Sequence, residues 1–334
     1  MKTQEMKKRP IGRIAAVAAI LAAAAAVLLL LYGWETRRQN TETPDPYAGQ
    51  EESLTYYNGA WYARKELETV LVMGVDKYAA DTETDSYVNQ EQADFLLLLV
   101  LDRNAGVCTA LPLNRDTMTE ITALGLAGER TGSFTGQLAL AHTYGSGGLD
   151  SAHNEGRAVS TLLYGTEIDH VMAFTMDAVP VLTDAVGGVP VVVEDDFSAM
   201  TDQLPMGQEV TLRGDLALTF VRGRGSMGGE KTNLNRMARQ NAYLQGLYRQ
   251  LQGAAQDEGF LTQLLLELSP YLDTDCTAAQ LNDLYQTVVQ DRLEVLDAPA
   301  GEAVEGSEFM EFYVDEDALR QTVIDLFYEQ RDPA

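Results

Sequence analysis

The stretch Ala93–Asp116, ADFLLLLVLDRNAGVCTALPLNRD, has a carboxylate near its start, a guanidinium near its end and mostly apolar residues between them. Phe95 to Leu101 are all Phe, Leu or Val; Asp102-Arg103-Asn104-Ala105-Gly106 supplies turn chemistry, and Val107 to Leu113 is largely apolar again. Two such runs around an Asp/Asn/Gly turn predict a β-hairpin. Runs that are continuously apolar rather than alternating predict burial on both faces. If the turn centres between Asn104 and Ala105, facing residues have numbers that sum to 209, and Asp94 faces Arg115. That pair is either a salt bridge at the mouth of the sheet or half of a site that holds a metal and an anion together. Pro112 lacks an N–H and marks a bulge or a strand end, and a slip of one residue would turn Arg115 to the other face.

Outward from the hairpin, the amino end of the chain carries Lys2, Lys7, Lys8, Arg9 and Arg13, followed by the charge-free run Ile14 to Trp34. Its length suits a bilayer span, and its Val-Leu-Leu-Leu-Leu-Tyr end lacks the small residues of a signal-peptide cleavage site. The expectation is an uncleaved anchor, with the basic tail 1–13 cytoplasmic, the helix 14–34 in the cell membrane and the rest extracellular. Residues 35–65 read as a polar stalk. The net charge of -26 over 334 residues argues against non-specific nucleic-acid binding, so an anionic substrate would need a local cluster of positive groups. Of the two cysteines, Cys108 lies in the apolar second strand and reads as a buried free thiol.

Val70–Val75 reads as a strand that ends at Asp76, and an acidic irregular loop leads from it to the hairpin. A Gly- and Thr-rich region follows, then helical character over 137–144 and a helix over 154–163 that Gly165 ends. Ile168–Thr175 is a strand; Asp177 and Pro180 open a helix that Gly187-Gly188 closes before a strand at Val189–Val193. Helices are expected over 212–220 and 234–251. This alternation gives the fold class: an α/β protein, an α-β-α sandwich with a mixed central sheet containing the antiparallel hairpin. Residues 66–252 are expected to form this domain, and 253–334 an α+β extension without site chemistry.

Several side chains carry chemistry. Arg222 and Arg224 flank Gly223, and in extended backbone they would form a fork suited to phosphate. Lys231, Arg236 and Arg239 follow, beside a Gly-rich loop; a solvated basic patch is the competing reading. Asp76 and Asp94 sit at strand ends where two carboxylates can converge on magnesium, although strand-end capping accounts for them equally. His142, His153 and His170 show no spacing with cysteine that suggests zinc. Neither a Walker loop nor a dinucleotide fingerprint is present.

In combination, Gly74-Val75-Asp76, Gln92-Ala93-Asp94, Arg115-Asp116, His142-Thr143-Tyr144-Gly145, Asp184-Ala185-Val186-Gly187-Gly188-Val189, Val221-Arg222-Gly223-Arg224 and Arg236-Met237-Ala238-Arg239-Gln240 resemble the LytR-CpsA-Psr family of cell-wall polymer ligases. The resemblance covers roughly residues 66–252. It implies magnesium on Asp76 and Asp94, and a lipid pyrophosphate held by Arg115, Arg222 and Arg224 with Arg239 and Gln240 at the rim. Asp76, Asp94 and Arg115 would be the catalytic groups. The implied reaction moves a teichoic-acid or capsular glycopolymer from a polyprenyl pyrophosphate carrier onto a peptidoglycan hydroxyl outside the membrane. Against the usual family pattern, Gln92 and Ala93 replace Arg-Ser, Asn114 replaces Pro, Ala141 replaces Asn, and Asn233 stands where an acidic residue is common. Those departures keep two alternatives in view: a polymer-binding scaffold weakened in catalysis, and a polyprenyl-pyrophosphate hydrolase.

Overall fold

A computed structural model describes residues 54–77, 91–223, 231–255, 257, 259–290, 292–306 and 309–331. The expected anchor at 14–34 and Arg224 lie outside the described residues, and among the described residues no helix is long and apolar enough to cross a membrane.

The central hairpin forms as expected, with Ala93–Asp102 paired antiparallel to Val107–Pro112. Leu97 faces Pro112 and Asp102 faces Val107, so the partners sum to 209 and there is no slip. Asp102 Oδ1 accepts from the N–H groups of Asn104 (3.1 Å) and Ala105 (2.8 Å), and Gly106 closes the loop at φ 63°, a left-handed angle that suits glycine. Pro112 is the last residue of its strand, where its missing N–H leaves no gap inside the ladder.

Four more strands extend the hairpin into a mixed six-stranded sheet. Its order is Leu272–Thr274, His170–Thr175, Glu68–Val75, Ala93–Asp102, Val107–Pro112, Arg292–Val295. Glu68–Val75 runs antiparallel to the hairpin and parallel to His170–Thr175, and Arg292–Val295 runs parallel to Val107–Pro112. Both faces are covered, as the unbroken apolar runs require. On one face Leu71, Met73, Leu96, Leu98 and Leu111 pack with Ala158 and Val159 of helix Gly148–Leu162 and with Leu319, Val323 and Phe327 of helix Glu316–Phe327. On the other, Val70, Leu101 and Cys108 pack with Leu284 of helix Ala278–Gln290. Cys108 is fully buried and in no disulfide, as expected.

A second core lies around the hairpin Val189–Val192/Glu209–Leu212 and the helices Gly214–Arg222 and Lys231–Ala254. Gly246 lets the long helix sit on the hairpin, since a Cβ there would lie 2.6 Å from Pro190 O.

Two expectations are corrected, and one region to which the sequence reading assigns no element takes a definite form. The presumed stalk does not extend to residue 65: Thr55–Tyr57 and Ala60–Arg64 form a hairpin, and its second strand pairs with Tyr328–Gln330. The Gly- and Thr-rich region is likewise a hairpin, Met118–Leu124 with Arg130–Gln137. Residues 253–334 are no separate extension. They supply both edge strands of the central sheet and a helix of its main core, and from Leu54 onward the chain is one compact unit. Non-local pairing of this kind leaves no local signal, because each of these segments finds its partner far away in sequence. A chain ending at Gln252 is therefore expected to lose cooperative unfolding in urea, whereas an independent extension would leave the midpoint unchanged.

Candidate functional site

The two strand-end carboxylates are placed by one irregularity. Gly74 pairs with Phe95 but Val75 pairs with Ala93, so Asp94 is the extra residue of a β-bulge, a device that re-aims a side chain at a sheet end. Asp76 follows the neighbouring strand directly, and its N–H donates to Gln92 O (2.9 Å). Lys77 and Glu91 add an ion pair at 2.6 Å. Asp76 and Asp94 thus occupy the same end of adjacent strands.

Guanidinium groups surround both carboxylates. Arg115, just beyond the end of the hairpin, is hydrogen-bonded to Asp94 Oδ1, donates to Gln92 Oε1 at 2.8 Å and reaches Asp116 Oδ1 at 3.2 Å. Arg236 Nη1 approaches Asp94 Oδ2 at 3.6 Å. Asp94 and Arg115 are almost closed off from water, with side chains 12% and 14% exposed. Arg222 donates to Asp76 Oδ1 at 2.6 Å in a more open pair, 36% and 40% exposed. A small cavity beside Asp94 and Arg115 is lined by Phe95, Pro112, Met237 and Gln240, which places Gln240 at the site as the resemblance implies. Gln92 is a departure with a visible consequence: its carbonyl accepts from Arg115, which a second guanidinium there could not do.

Two expectations about arginine change. Arg222 is the last residue of a helix rather than part of an extended segment, and its expected partner at 224 lies outside the described residues. Arg239 is buried and turned away from the carboxylates. It donates to Phe220 O at 2.9 Å, to Gly223 O and to Asp195, with its guanidinium 5.4 Å over the Phe197 ring. It fixes the carboxyl end of the helix that presents Arg222, where a cation meets the negative end of the helix dipole. Gly223 fits this tight helix end, since a Cβ there would lie 2.6 Å from Thr219 O and 2.7 Å from the Phe197 ring.

Sequence reasoning placed Arg236 in the basic cluster without assigning it to the carboxylates it meets, and it passed over Glu155. The latter is fully buried on helix Gly148–Leu162, where Oε2 accepts from His142 N–H at 2.8 Å and Oε1 has no hydrogen-bond partner among the described residues. Burial raises the Glu155 carboxyl well above its ordinary value of 4.5, against smaller lowering by the His142 N–H and the charge of Arg115. Burial likewise lowers His142, whose Nδ1 lies 3.0 Å from Glu91 O.

The structure is that of a mixed α/β protein in which guanidinium groups pair with carboxylates at one end of the central sheet. The profile of the LytR_cpsA_psr family matches residues 31–325, and the chain belongs to that family. The match extends through most of the segment that sequence reading had set apart. The polyisoprenyl-teichoic acid–peptidoglycan teichoic acid transferase TagU of Halalkalibacterium halodurans is 28% identical over 160 residues, 47% of this chain and 44% of that relative. The chain thus aligns with less than half the length of that protein. Among solved structures, TagV of B. subtilis superposes with TM-score 0.59 at 21% identity, over 78% of this chain and 97% of that one. The structure titled TagT bound to LI-WTA gives TM-score 0.59 at 17% identity, over 78% and 90%. Protein gbs0355 of Streptococcus agalactiae gives 0.63 at 18%, over 78% and 87%. These likenesses show a shared mixed α/β fold.

Two outcomes follow from the geometry. Arg239→Ala strands the Asp195 carboxylate and two helix-end carbonyls, and is expected to lower stability by about 3–5 kcal/mol in chemical denaturation. For Glu155 the folded state holds its proton more tightly than the unfolded chain does. Its contribution is therefore greatest below pH 4.5 and is lost as pH rises above that value toward the raised folded one. Glu155→Gln is expected to remove this loss, so that the stability difference between variant and wild type moves in the variant's favour as pH rises from 4 to 8.

Proposed function

We propose that this chain is a membrane-anchored extracellular phosphotransferase. It would move an anionic glycopolymer of the teichoic-acid or capsular type from a polyprenyl pyrophosphate carrier to a hydroxyl of peptidoglycan. The observation that carries the reading is the charge pattern at one sheet end: Asp76 and Asp94 interleaved with Arg115, Arg222 and Arg236. With Asp116 the group holds three carboxylates against three guanidiniums, so it is formally neutral. One divalent cation would bring it to a net +2, a match for the two charges of a pyrophosphate diester. Family membership and the named activity of the Halalkalibacterium relative support the same reaction class.

The residues fit magnesium, because two carboxylates at adjacent strand ends form a hard oxygen donor set that phosphate oxygens and water would complete. When bound, magnesium would neutralise pyrophosphate oxygens and polarise the phosphorus. Arg222, half-open to solvent, can release Asp76 and take a phosphate oxygen, since both are charge-assisted partners of a guanidinium. Arg115 is held on three sides and so presents a fixed positive charge, which needs no reorganisation as charge develops on the leaving polyprenyl phosphate. The acceptor hydroxyl attacks the polymer-side phosphorus, and the bond from that phosphorus to the bridging oxygen breaks. The hydroxyl proton passes to a carboxylate at the sheet end. Arg239 acts through the helix end that positions Arg222.

Transfer from lipid-linked polymer to peptidoglycan is the decisive measurement. Asp94→Ala and Arg222→Ala are each expected to lower kcat/KM about 10²–10³-fold, and chelation of magnesium to stop turnover. Unchanged transfer in both variants would overturn the assignment. Release of free polymer whether or not acceptor is present would indicate a hydrolase, and tight polymer binding without turnover a scaffold.

A further inference from the structure

On helix Gly148–Leu162, at the start of strand His170–Thr175 and in the turn after strand Leu272–Thr274, four metal-binding side chains meet. Donor atoms of His170, Asp275 and Cys276 all lie within 4.8 Å of one another. His153 Nε2 lies 3.1 Å from Asp275 Oδ2, and His170 Nδ1 lies 3.4 Å from Asp275 Oδ1. Two of the chain's three histidines and one of its two cysteines are therefore gathered on one carboxylate. We propose that His153, His170, Asp275 and Cys276 form a structural zinc site.

The donor set selects the metal. Two imidazoles, a carboxylate and a thiolate suit a borderline-soft, tetrahedral ion such as Zn²⁺, and suit magnesium or calcium poorly. Four protein donors close the coordination sphere, as in structural rather than catalytic zinc sites. A pair of His–Asp contacts alone would account for the imidazoles; Cys276, whose Sγ donates weakly to Asp275 Oδ1 at 3.9 Å, brings a soft donor to the same carboxylate that such contacts do not need. His170 Nδ1 also points into the cluster, shut off from solvent and without a hydrogen bond.

The surroundings hold the ligands in place. Val171 N–H donates to Asp275 Oδ1 at 3.1 Å, Thr274 Oγ1 donates to Val171 O at 2.7 Å, and Cys276 N–H donates to Thr274 Oγ1 at 3.1 Å. Such outer contacts orient metal ligands. In a tetrahedral zinc site the donors stand roughly 3.3–3.8 Å apart, so His170, Asp275 and Cys276 need to close by about 1 Å, and His153, now on Asp275 alone, has to swing in to complete the set. Gln280 Nε2 lies 3.2 Å from His170 Nε2, while its Oε1 accepts from Thr277. Zinc on Nδ1 leaves the ring proton on Nε2, so metal binding requires the Gln280 amide to give its oxygen to His170 in place of Thr277. Zinc would staple the three-residue edge strand Leu272–Thr274, and with it the carboxyl-terminal part of the chain, to the helix and the neighbouring strand.

The test is a cobalt titration of the purified full chain, kept reduced with a phosphine and held in excess magnesium to occupy oxygen sites. One equivalent of Co²⁺ is expected to bind with a near-ultraviolet thiolate-to-cobalt absorption that Zn²⁺ displaces. Cys276→Ser is expected to abolish that band, His170→Ala to weaken binding by more than about tenfold, and Cys108→Ala to leave both unchanged. Zinc should raise the thermal midpoint of wild type and not of Cys276→Ser. Absence of the thiolate band in wild type overturns the site, as does a band or a zinc-dependent midpoint shift that survives Cys276→Ser in a variant whose circular dichroism is native.

Discussion

The ion pair between Asp94 and Arg115 is the constraint on which the site depends. Its partners start and finish the most apolar segment of the chain, and the ladder between them holds the register that makes them meet. A buried ion pair is not itself a large source of stability, because desolvating both charges opposes their attraction. Here Gln92 and Asp116 accept further hydrogen bonds from Arg115, so the guanidinium is satisfied where it leaves water. Stability comes instead from the sheet, whose strands are buried on both faces by helices drawn from distant parts of the chain. The pair converts that rigidity into a fixed positive charge at the mouth of the sheet.

The second core serves the more open half of the site. Its hairpin and two helices carry Arg222 to Asp76 on the carboxyl end of a helix, and Arg239 locks that end through two carbonyls and Asp195. The two halves differ in burial. Asp94 with Arg115 is enclosed, while Asp76 with Arg222 is accessible, and an entering anion would compete first for the accessible guanidinium. Behind them, burial raises the Glu155 carboxyl well above its ordinary value, which favours its neutral form beside Arg115.

Much of this was legible in sequence. The hairpin, its register, the strand ending at Asp76 and most of the helix expected over 154–163, found at Gly148–Leu162, follow from local apolar runs and turn chemistry. Asp76, Asp94, Arg115, Arg222 and Gln240 were each identifiable, and the fold brings them to one sheet end. Arg239 was identifiable as part of a motif, but its burial was not, because nothing in Arg-Met-Ala-Arg-Gln says which guanidinium faces a helix end. The bulge at Asp94 escaped for a similar reason: it exists only in the pairing with a strand on the far side of an intervening loop.

Sequence alone determined the hydrophobic periodicity, and with it which segments pair locally and which charged groups end them, since these depend on residues a few positions apart. Tertiary structure decided what those charges do. It gave Asp94 its bulge, turned Arg239 from ligand to pin, and recruited residues after 253 into the central sheet. It also gathered His153, His170, Asp275 and Cys276, whose spacing in the chain suggests no metal. The physical reason is that long-range pairing is selected by mutual burial of whole faces, and a side chain's neighbours across such a face leave no trace in its own local sequence.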